Sequence, residues 1–431
     1  MGTKKYEGWS QEQLLERIES LESEQMDKKR KKKKPRRERP FDMTRYCRRR
    51  VAFKVAYLGW NYLGFAAQAD NEKTPTVEGH LFRAMKECKL INDPEEANFS
   101  RCGRTDKGVS GLGQVISLDV RSLLTQEELD NPELEKAARN RELPYIDTIN
   151  RLLPPDIRIL AWSPVKPDFD ARFNCLSRTY KYFFNKGNLN IQAMQKAAEY
   201  IKGTHDFRNF CKIDPTKDIT NYQRTVIRLD IQPVHTLDTQ KLGTNLMFYE
   251  VVLTGSAFLW HQVRCIMAIL FLVGQELEEP EVVHDLMDIE KCDARPDYPM
   301  ASDLPLMLYD SEYKDLEWVH ATEGNFPSPL RVYGHLQEQW CVSMTRGLMC
   351  QTMLGCVNEF MVSDHDGNPM CVQDRVQLKE KPSNGISTVI LGGGQEMRMT
   401  KYRKLIERKR GDSDKVKKDK YRARKKAKLS N

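Results

Sequence analysis

Residues 51–57 read Val51-Ala52-Phe53-Lys54-Val55-Ala56-Tyr57, and the reading of this run decides the fold class. Val51, Phe53, Val55 and Tyr57 recur at every second position, the spacing that sends side chains to one face of a β-strand. A strand with one buried face is therefore expected, and the compact part of the chain starts at Val51. Working outward, residues 76–88 carry Val77, Leu81, Ala84 and Met85 on one helical stripe, 113–120 return to strand composition and 127–139 to helix. Strands at 157–162 and 178–184, a helix at 189–202, strands at 224–231 and 247–253, and a strongly apolar helix at 258–273 complete the series. Hairpin-like and crossover connections are mixed. That favours an α+β fold over a doubly wound one: a mainly antiparallel sheet flanked by helices, built as two similar α/β halves. The expected divisions are a tail at 1–45 with a short amphipathic helix, halves at 46–165 and 166–320, an extension at 321–400 without firm periodicity, and a second tail at 401–431. Gly392-Gly393-Gly394 reads as a flexible turn, since no Lys-Ser/Thr follows it as in a phosphate loop.

The 431 residues carry a formal net charge of +8, and its distribution is uneven. Residues 1–50 hold a net of +8 and residues 401–431 a net of +11, which leaves residues 51–400 at −11. Residues 28–39 place ten basic side chains in twelve positions. Such a density repels itself and stays solvated, so both tails are expected to be disordered. The run also fits a nuclear-import signal and attracts phosphates without regard to sequence. A polyanion docking on the middle of the chain must find a locally positive groove on an acidic body.

The 11 cysteines show no Cys-x-x-Cys pair and no zinc-finger spacing, so free thiols in a reducing compartment are expected. The first 20 residues are polar, unlike a signal peptide, and the longest apolar run, residues 265–274, is about half of a bilayer span. No membrane partner is expected. Nuclear residence is, with the cytoplasm as a second location.

Chemistry concentrates in Arg101-Cys102-Gly103-Arg104-Thr105-Asp106-Lys107-Gly108-Val109-Ser110, just before the 113–120 strand. One carboxylate stands among Arg101, Arg104 and Lys107, and nearby cations favour the ionised form of an acid. Gly103 and Gly108 leave room for close approach of another backbone. Asp106 thus reads as a nucleophile or base. On residue types alone the segment also reads as an ordinary charged turn.

The run Gly103-Arg104-Thr105-Asp106-Lys107-Gly108-Val109-Ser110 resembles the signature of the TruA family of pseudouridine synthases, which contains the one aspartate their chemistry requires. Further blocks follow in the family's order: Asn150-Arg151-Leu152-Leu153-Pro154-Pro155-Asp156-Ile157-Arg158, Phe169-Asp170-Ala171-Arg172-Phe173, Arg178-Thr179-Tyr180-Lys181-Tyr182, Gly203-Thr204-His205-Asp206-Phe207 and Phe258-Leu259-Trp260-His261-Gln262-Val263-Arg264. Finer features, among them Phe207-Arg208-Asn209-Phe210-Cys211-Lys212, are similar to the eukaryotic branch acting at tRNA positions 38 and 39. Ser110-Gly111 stands where most members have His-Ala, and Cys265 where many have Asn.

The resemblance implies isomerisation of uridine to pseudouridine in the tRNA anticodon arm, with no cofactor and no metal, on a pseudouridine synthase fold. It puts Asp106 beside the glycosidic bond and makes Tyr180 the substrate contact, an aromatic platform for a flipped pyrimidine. Arg264, at the start of a buried helix, is expected to ion-pair with Asp106, and Arg104 to reach the space the flipped base vacates or a neighbouring phosphate. Arg101, Lys107, Arg172, Arg178, Lys181, Arg208 and Lys212 are the candidates for the RNA groove. His205 and Asp206 read as turn residues and His261 as a satisfied histidine near the core. The resemblance also implies a homodimer. Two other readings are the same chemistry at other tRNA or small nuclear RNA positions, and a non-catalytic RNA-binding protein on the same fold.

Overall fold

The computed structural model describes residues 9–11, 13, 16–18, 20–21, 41–68, 75–216, 219–234, 247–314, 316–320, 327–358, 361–363, 369–371 and 387–429. They belong to two compact units, residues 1–45 and 46–431. The first holds helical residues between 11 and 21 and a 3-10 turn at Met43–Arg45. The expected disorder of residues 28–39 lies outside the described residues.

The second unit is organised by nine strands: β1 Cys47–Tyr57, β2 Ser100–Arg101, β3 Ser110–Ser122, β4 Ile157–Pro164, β5 Cys175–Asn185, β6 Gly203–Asp206, β7 Gln223–Pro233, β8 Phe248–Gly255 and β9 Leu306–Tyr313. They form one sheet in the order β4-β1-β3-β9-β5-β8-β7-β6, with β2 paired to β3. Each neighbouring pair is antiparallel except β3 and β9, which run parallel at Ser110↔Met307 and Gly111↔Leu308. The expected mainly antiparallel α+β sheet is what the chain builds.

β1 differs from the one-faced strand its alternation implies. Val51, Phe53, Val55 and Tyr57 enter a core with Leu81, Met85, Tyr145 and Ile149, which belong to the helices Val77–Glu87 and Tyr145–Asn150. Ala52 is also buried, in a small cluster on the opposite face with Cys102, Val115, Ala171 and Cys175. A central strand covered on both faces tolerates small apolar residues at its alternate positions, so Ala52 and Ala56 were the signal. Thr76 caps the helix Val77–Glu87 by accepting from Gly79 N, and the helix expected at 127–139 is split by Asn131 and Pro132 into Gln126–Asp130 and Pro132–Ala138.

The other core lies under β5, β7 and β8. Its centre is the helix Gln262–Gly274, with every residue from Cys265 to Gly274 buried, packed against the helix Ile191–Ile201. The segment 258–261, expected to be helical, precedes this helix, because His261 takes a left-handed φ of 63° that a helix cannot contain.

Beyond residue 299 the chain is more ordered than its periodicity suggests. β9 was not expected, and neither was the helix Pro327–Asn358, whose apolar residues include Tyr333, Trp340 and Leu348, all exposed. Gly392–Gly394 makes the turn of a hairpin between Ser387–Gly392 and Gln395–Met399, all three glycines having positive φ. The C-terminal basic segment, expected to be mobile, packs in part on the body. Leu405 is fully buried, Tyr402 donates to Glu278 Oε1 at 2.6 Å, and a helix spans Asp414–Leu429, its Asp414 accepting from Tyr222 at 2.8 Å. Charge density alone misses these anchors, since one leucine and two tyrosine hydroxyls supply them.

Burial raises the phenols of Tyr57, Tyr62, Tyr145, Tyr182, Tyr298 and Tyr313 above the ordinary tyrosine range. In the unfolded chain the same phenols titrate near about pH 10. Above that pH the unfolded state has lost protons the folded state keeps, so stability is full below about pH 10 and falls as pH rises past it. Urea midpoints measured from about pH 8 to about pH 11 should drop steeply at the upper end, with the phenolate absorbance of these residues appearing only as the protein unfolds. Phenolate formation by all the tyrosines of the folded protein near about pH 10 would contradict this.

Candidate active site

The loop carrying Asp106 connects β2 to β3 and is fixed at both ends. Cys102 N donates to Val115 O at 2.8 Å, and Gln114 Nε2 holds Gly103 O at 2.8 Å. Thr105 Oγ1 lies 2.8 Å from the Tyr57 hydroxyl, and Thr105 O accepts from Phe65 N at 3.1 Å. Gly108 N reaches Tyr62 O at 3.2 Å, and Gly59 N donates to Ser110 Oγ at 3.0 Å. Position 110, where the sequence departs from the family's histidine, is therefore a buried loop anchor.

Gly108 has φ of 79°, and a Cβ there would run into Asp303 Oδ2. Asp303 is in turn held by Arg264, whose Nη2 lies 3.4 Å from Asp303 Oδ1 and whose Nε donates to Ala301 O at 2.8 Å. This corrects the expected Arg264–Asp106 ion pair. Among the described residues Arg264 pairs with Asp303, and the ring that meets the Asp106 carboxylate is that of His261, with Nε2 at 3.2 Å from Asp106 Oδ2. The apolar helix ties Arg264 to the segment 301–303, while the left-handed turn at His261 swings the preceding ring onto the carboxylate.

His261, expected as a satisfied histidine near the core, instead lies against the Asp106 carboxylate, a position that no local sequence signal marks. Its side chain is 10% exposed, against 26% for Asp106. Its ring lies 4.5 Å from that of Trp260, and its Nδ1 is buried with no hydrogen-bond partner among the described residues. Of the two ring nitrogens, Nε2 is the one that faces the Asp106 carboxylate, at 3.2 Å.

Tyr180 arrives through the sheet register. Gly111 pairs with Leu308, Leu308 with Tyr180 and Tyr180 with Leu253, so one row crosses the seam from the Asp106 loop's own strand to Tyr180. The ring stands edge-on to Phe258 at 5.1 Å and is partly buried. Burial, with smaller contributions from the charges of Cys102 and Asp106, pushes its hydroxyl above the ordinary tyrosine range and keeps it protonated. Tyr182, two residues on, is a core residue whose hydroxyl donates to Ser302 O at 3.0 Å. Trp260 and Trp60 are both about half exposed near the loop, Trp60 following the Gly59 that anchors Ser110.

The expected RNA contacts divide into two groups. Arg104, Lys107, Arg172 and Lys212 are exposed and, among the described residues, have no carboxylate partner. Arg101, Arg178, Lys181 and Arg208 are engaged. Arg101 pairs with Glu78, Lys181 with Glu250 at 2.9 Å and Arg208 with Asp206 at 2.7 Å, while Arg178 donates to the carbonyls of Ser256, Cys102 and Arg172.

A family model for tRNA pseudouridine synthase matches residues 197–314. The chain is 47% identical over 343 residues to the tRNA pseudouridine(38/39) synthase of Saccharomyces cerevisiae, covering 74% of each chain. The chain belongs to the TruA-type tRNA pseudouridine synthase family. Within that family it is also 40% identical over 377 residues to the tRNA pseudouridine(38/39) synthase of Mus musculus, covering 86% of this chain and 76% of that one. It is 33% identical over 288 residues to the tRNA pseudouridine synthase A of Methanococcoides burtonii, covering 67% and 91%. The family's aspartate signature is the loop that the fold carries to the β3–β9 seam.

Replacing Gly108 by alanine adds a Cβ in left-handed geometry and displaces Asp303. The expected cost is about 2 kcal/mol or more, read as a lowered urea midpoint. A midpoint within about 0.5 kcal/mol of the parent would show that the loop does not need this conformation.

Proposed function

We propose that the protein isomerises uridine to pseudouridine in the anticodon arm of tRNA, at positions 38 and 39. The observation that carries the reading is the juxtaposition at the seam: a partly exposed carboxylate, an oriented histidine and a tyrosine reached through one row of the sheet. The relatives named for that activity support it.

The reaction breaks the bond between uracil N1 and the ribose, turns the base and joins C5 to the same sugar carbon, with a proton leaving C5. Nothing is oxidised and no group comes from another molecule. Asp106 supplies the anionic oxygen beside the glycosidic bond. Its Oδ2 is committed to His261 Nε2, which leaves Oδ1 for the substrate. The pyrimidine, taken out of its stack, rests against Tyr180, where aromatic stacking contributes about 1–3 kcal/mol per base. The protonated Tyr180 hydroxyl is a hydrogen-bond donor to the displaced base. His261 acts through Asp106 and is a positioning residue. Arg264 holds Asp303, and Asp303 fills the space opposite Gly108, so its influence on the loop is mechanical.

Arg104 and Lys107 flank Asp106 and meet the phosphates next to the flipped nucleotide, with Arg172 and Lys212 farther along the stem. Two copies sharing one tRNA, and nuclear residence directed by the basic run at residues 28–39, complete the proposal.

Mapping of pseudouridine on anticodon-arm transcripts by carbodiimide-dependent primer stops tests it. The parent protein should mark positions 38 and 39. Asp106→Asn should bind the same RNA with turnover reduced by at least about a thousandfold. Modification elsewhere only, or binding without modification by the parent, would refute the assignment.

His261→Ala should lower turnover by about 10- to 100-fold with RNA affinity unchanged, and His261→Gln, whose amide can also donate to Asp106, should recover part of the loss. Equal losses in the two variants, or a loss confined to affinity, would remove His261 from the role of positioning the carboxylate.

A further inference from the structure

Behind the Asp106 loop, on the face of the sheet opposite the helices that pack on β1, two cysteines from distant parts of the chain meet. Cys102 Sγ lies 3.5 Å from Cys175 Sγ and 3.3 Å from Ser311 Oγ. Cys102 directly follows β2, four residues before Asp106, and Cys175 begins β5, five residues before Tyr180. The pair therefore joins the roots of the two segments that carry the proposed chemistry. Both thiols are free, and they share an apolar cluster with Ala52, Val115 and Ala171.

The surroundings polarise the pair. Arg178 Nη2 donates to the Cys102 carbonyl at 3.2 Å, which brings a guanidinium beside the thiol. Hydrogen bonding with Cys175 lowers the Cys102 thiol from its ordinary value against the opposing effect of burial, and the charge of Arg178 and the Ser311 hydroxyl lower it further. The same coupling raises Cys175. A thiol favoured as thiolate next to a second thiol is the arrangement of an attacking and a resolving cysteine.

We propose that Cys102 and Cys175 form a peroxide-sensitive dithiol, and that closing it to a disulfide displaces the Asp106 loop and switches off turnover. The Cys102 thiolate attacks one oxygen of hydrogen peroxide, the O–O bond breaks and hydroxide leaves, giving a sulfenic acid. The Cys175 sulfur then attacks the Cys102 sulfur, the S–O bond breaks, and the Cys175 proton departs with the oxygen as water. Two thiols lose two electrons in all, and one peroxide becomes two waters.

Burial selects the oxidant. Cys102 is 2% exposed and Cys175 9%, so a bulky disulfide such as oxidised glutathione is excluded and the proposed oxidant is one as small as peroxide. A disulfide needs a sulfur separation of about 2.05 Å, so the two sulfurs, now 3.5 Å apart, must close by more than 1 Å. The Cys102 backbone is held by Val115 O on β3 and by Arg178 on β5, and any part of that closure taken up by the backbone strains these bonds and shifts the loop that follows. A misplacement of about 1 Å at a reacting group costs on the order of 100-fold in rate.

The loss of turnover rests on the function proposed above, whereas the cross-link does not, so the two are measured separately. Full-length protein is treated with hydrogen peroxide or with oxidised glutathione, then digested without reduction and mapped by mass spectrometry. Turnover of anticodon-arm RNA is followed before treatment, after it, and after dithiothreitol. Expected with peroxide are a Cys102–Cys175 linked peptide and a fall in turnover of at least about tenfold that dithiothreitol reverses, with Cys175→Ser active and resistant. With oxidised glutathione the exposed Cys341 and Cys350 should react while the pair does not. The proposal is overturned if peroxide oxidises Cys341 and Cys350 without producing the linked peptide in wild type. It is equally overturned if the linked protein turns over as fast as the reduced one, or if Cys175→Ser is as sensitive as wild type. Reduced protein that forms the link but never modifies tRNA would count against the proposed function alone.

Discussion

Two residue pairs, Ser110 with Met307 and Gly111 with Leu308, make the parallel seam between β3 and β9 on which the placing of the Asp106 loop depends. Every other neighbouring strand in the sheet is antiparallel, and within the sheet this short stretch joins the strands β4, β1 and β3 to the strands β9, β5, β8, β7 and β6. Its tolerance is small. A Cβ on Gly111 would collide with the Tyr57 ring, and one on Gly113 with the backbone of Asp310 in β9. Because β3 has no side chain at residue 113, Lys54 of β1 also reaches past it to Asp310 Oδ1 at 2.9 Å. That pair is partly exposed and contributes at most about 1 kcal/mol, so close backbone approach is the stronger constraint. The Asp106 loop enters the sheet at this seam, and both Tyr180 and His261 come from its far side.

The strands and helices up to residue 274 were largely legible in the sequence, because each carries its own period of apolar residues. What escaped were features that are not periodic. The identity of β9 depends on pairing with β3 and β5, partners about 130 to 200 residues away, and its own alternation is interrupted by Tyr309 and Asp310. The helix Pro327–Asn358 is mostly exposed, so no burial stripe marks it. The C-terminal segment is anchored by single residues that its composition conceals.

At the site, Asp106 and Tyr180 were readable from their local context and from resemblance, whereas charge partners were not. An arginine at the head of a buried helix does need a partner, and the sequence holds several acids. Asp303 wins because Ala301 and Asp303 lie along the path of the Arg264 side chain, while the His261 turn occupies Asp106. The left-handed residue at 261 is a tertiary consequence with no local signature beyond the Trp260-His261-Gln262 run. The body's net charge of −11 over residues 51–400 is likewise reconciled locally. Acidic residues such as Glu78, Glu250 and Asp206 neutralise the cations that brace the fold, and Arg104, Lys107, Arg172 and Lys212 stay available at the surface.

On the proposed function an extruded pyrimidine lies between Asp106 and Tyr180, and the most direct test is a structure of the protein bound to an anticodon-arm RNA carrying a non-isomerisable uridine analogue at position 39. The predicted result is that base out of its stack, against the Tyr180 ring, with its glycosidic bond within about 3.5 Å of an Asp106 carboxylate oxygen. An RNA seated elsewhere on the body, or one bound with the analogue still stacked in the stem and Asp106 uncontacted, would contradict it.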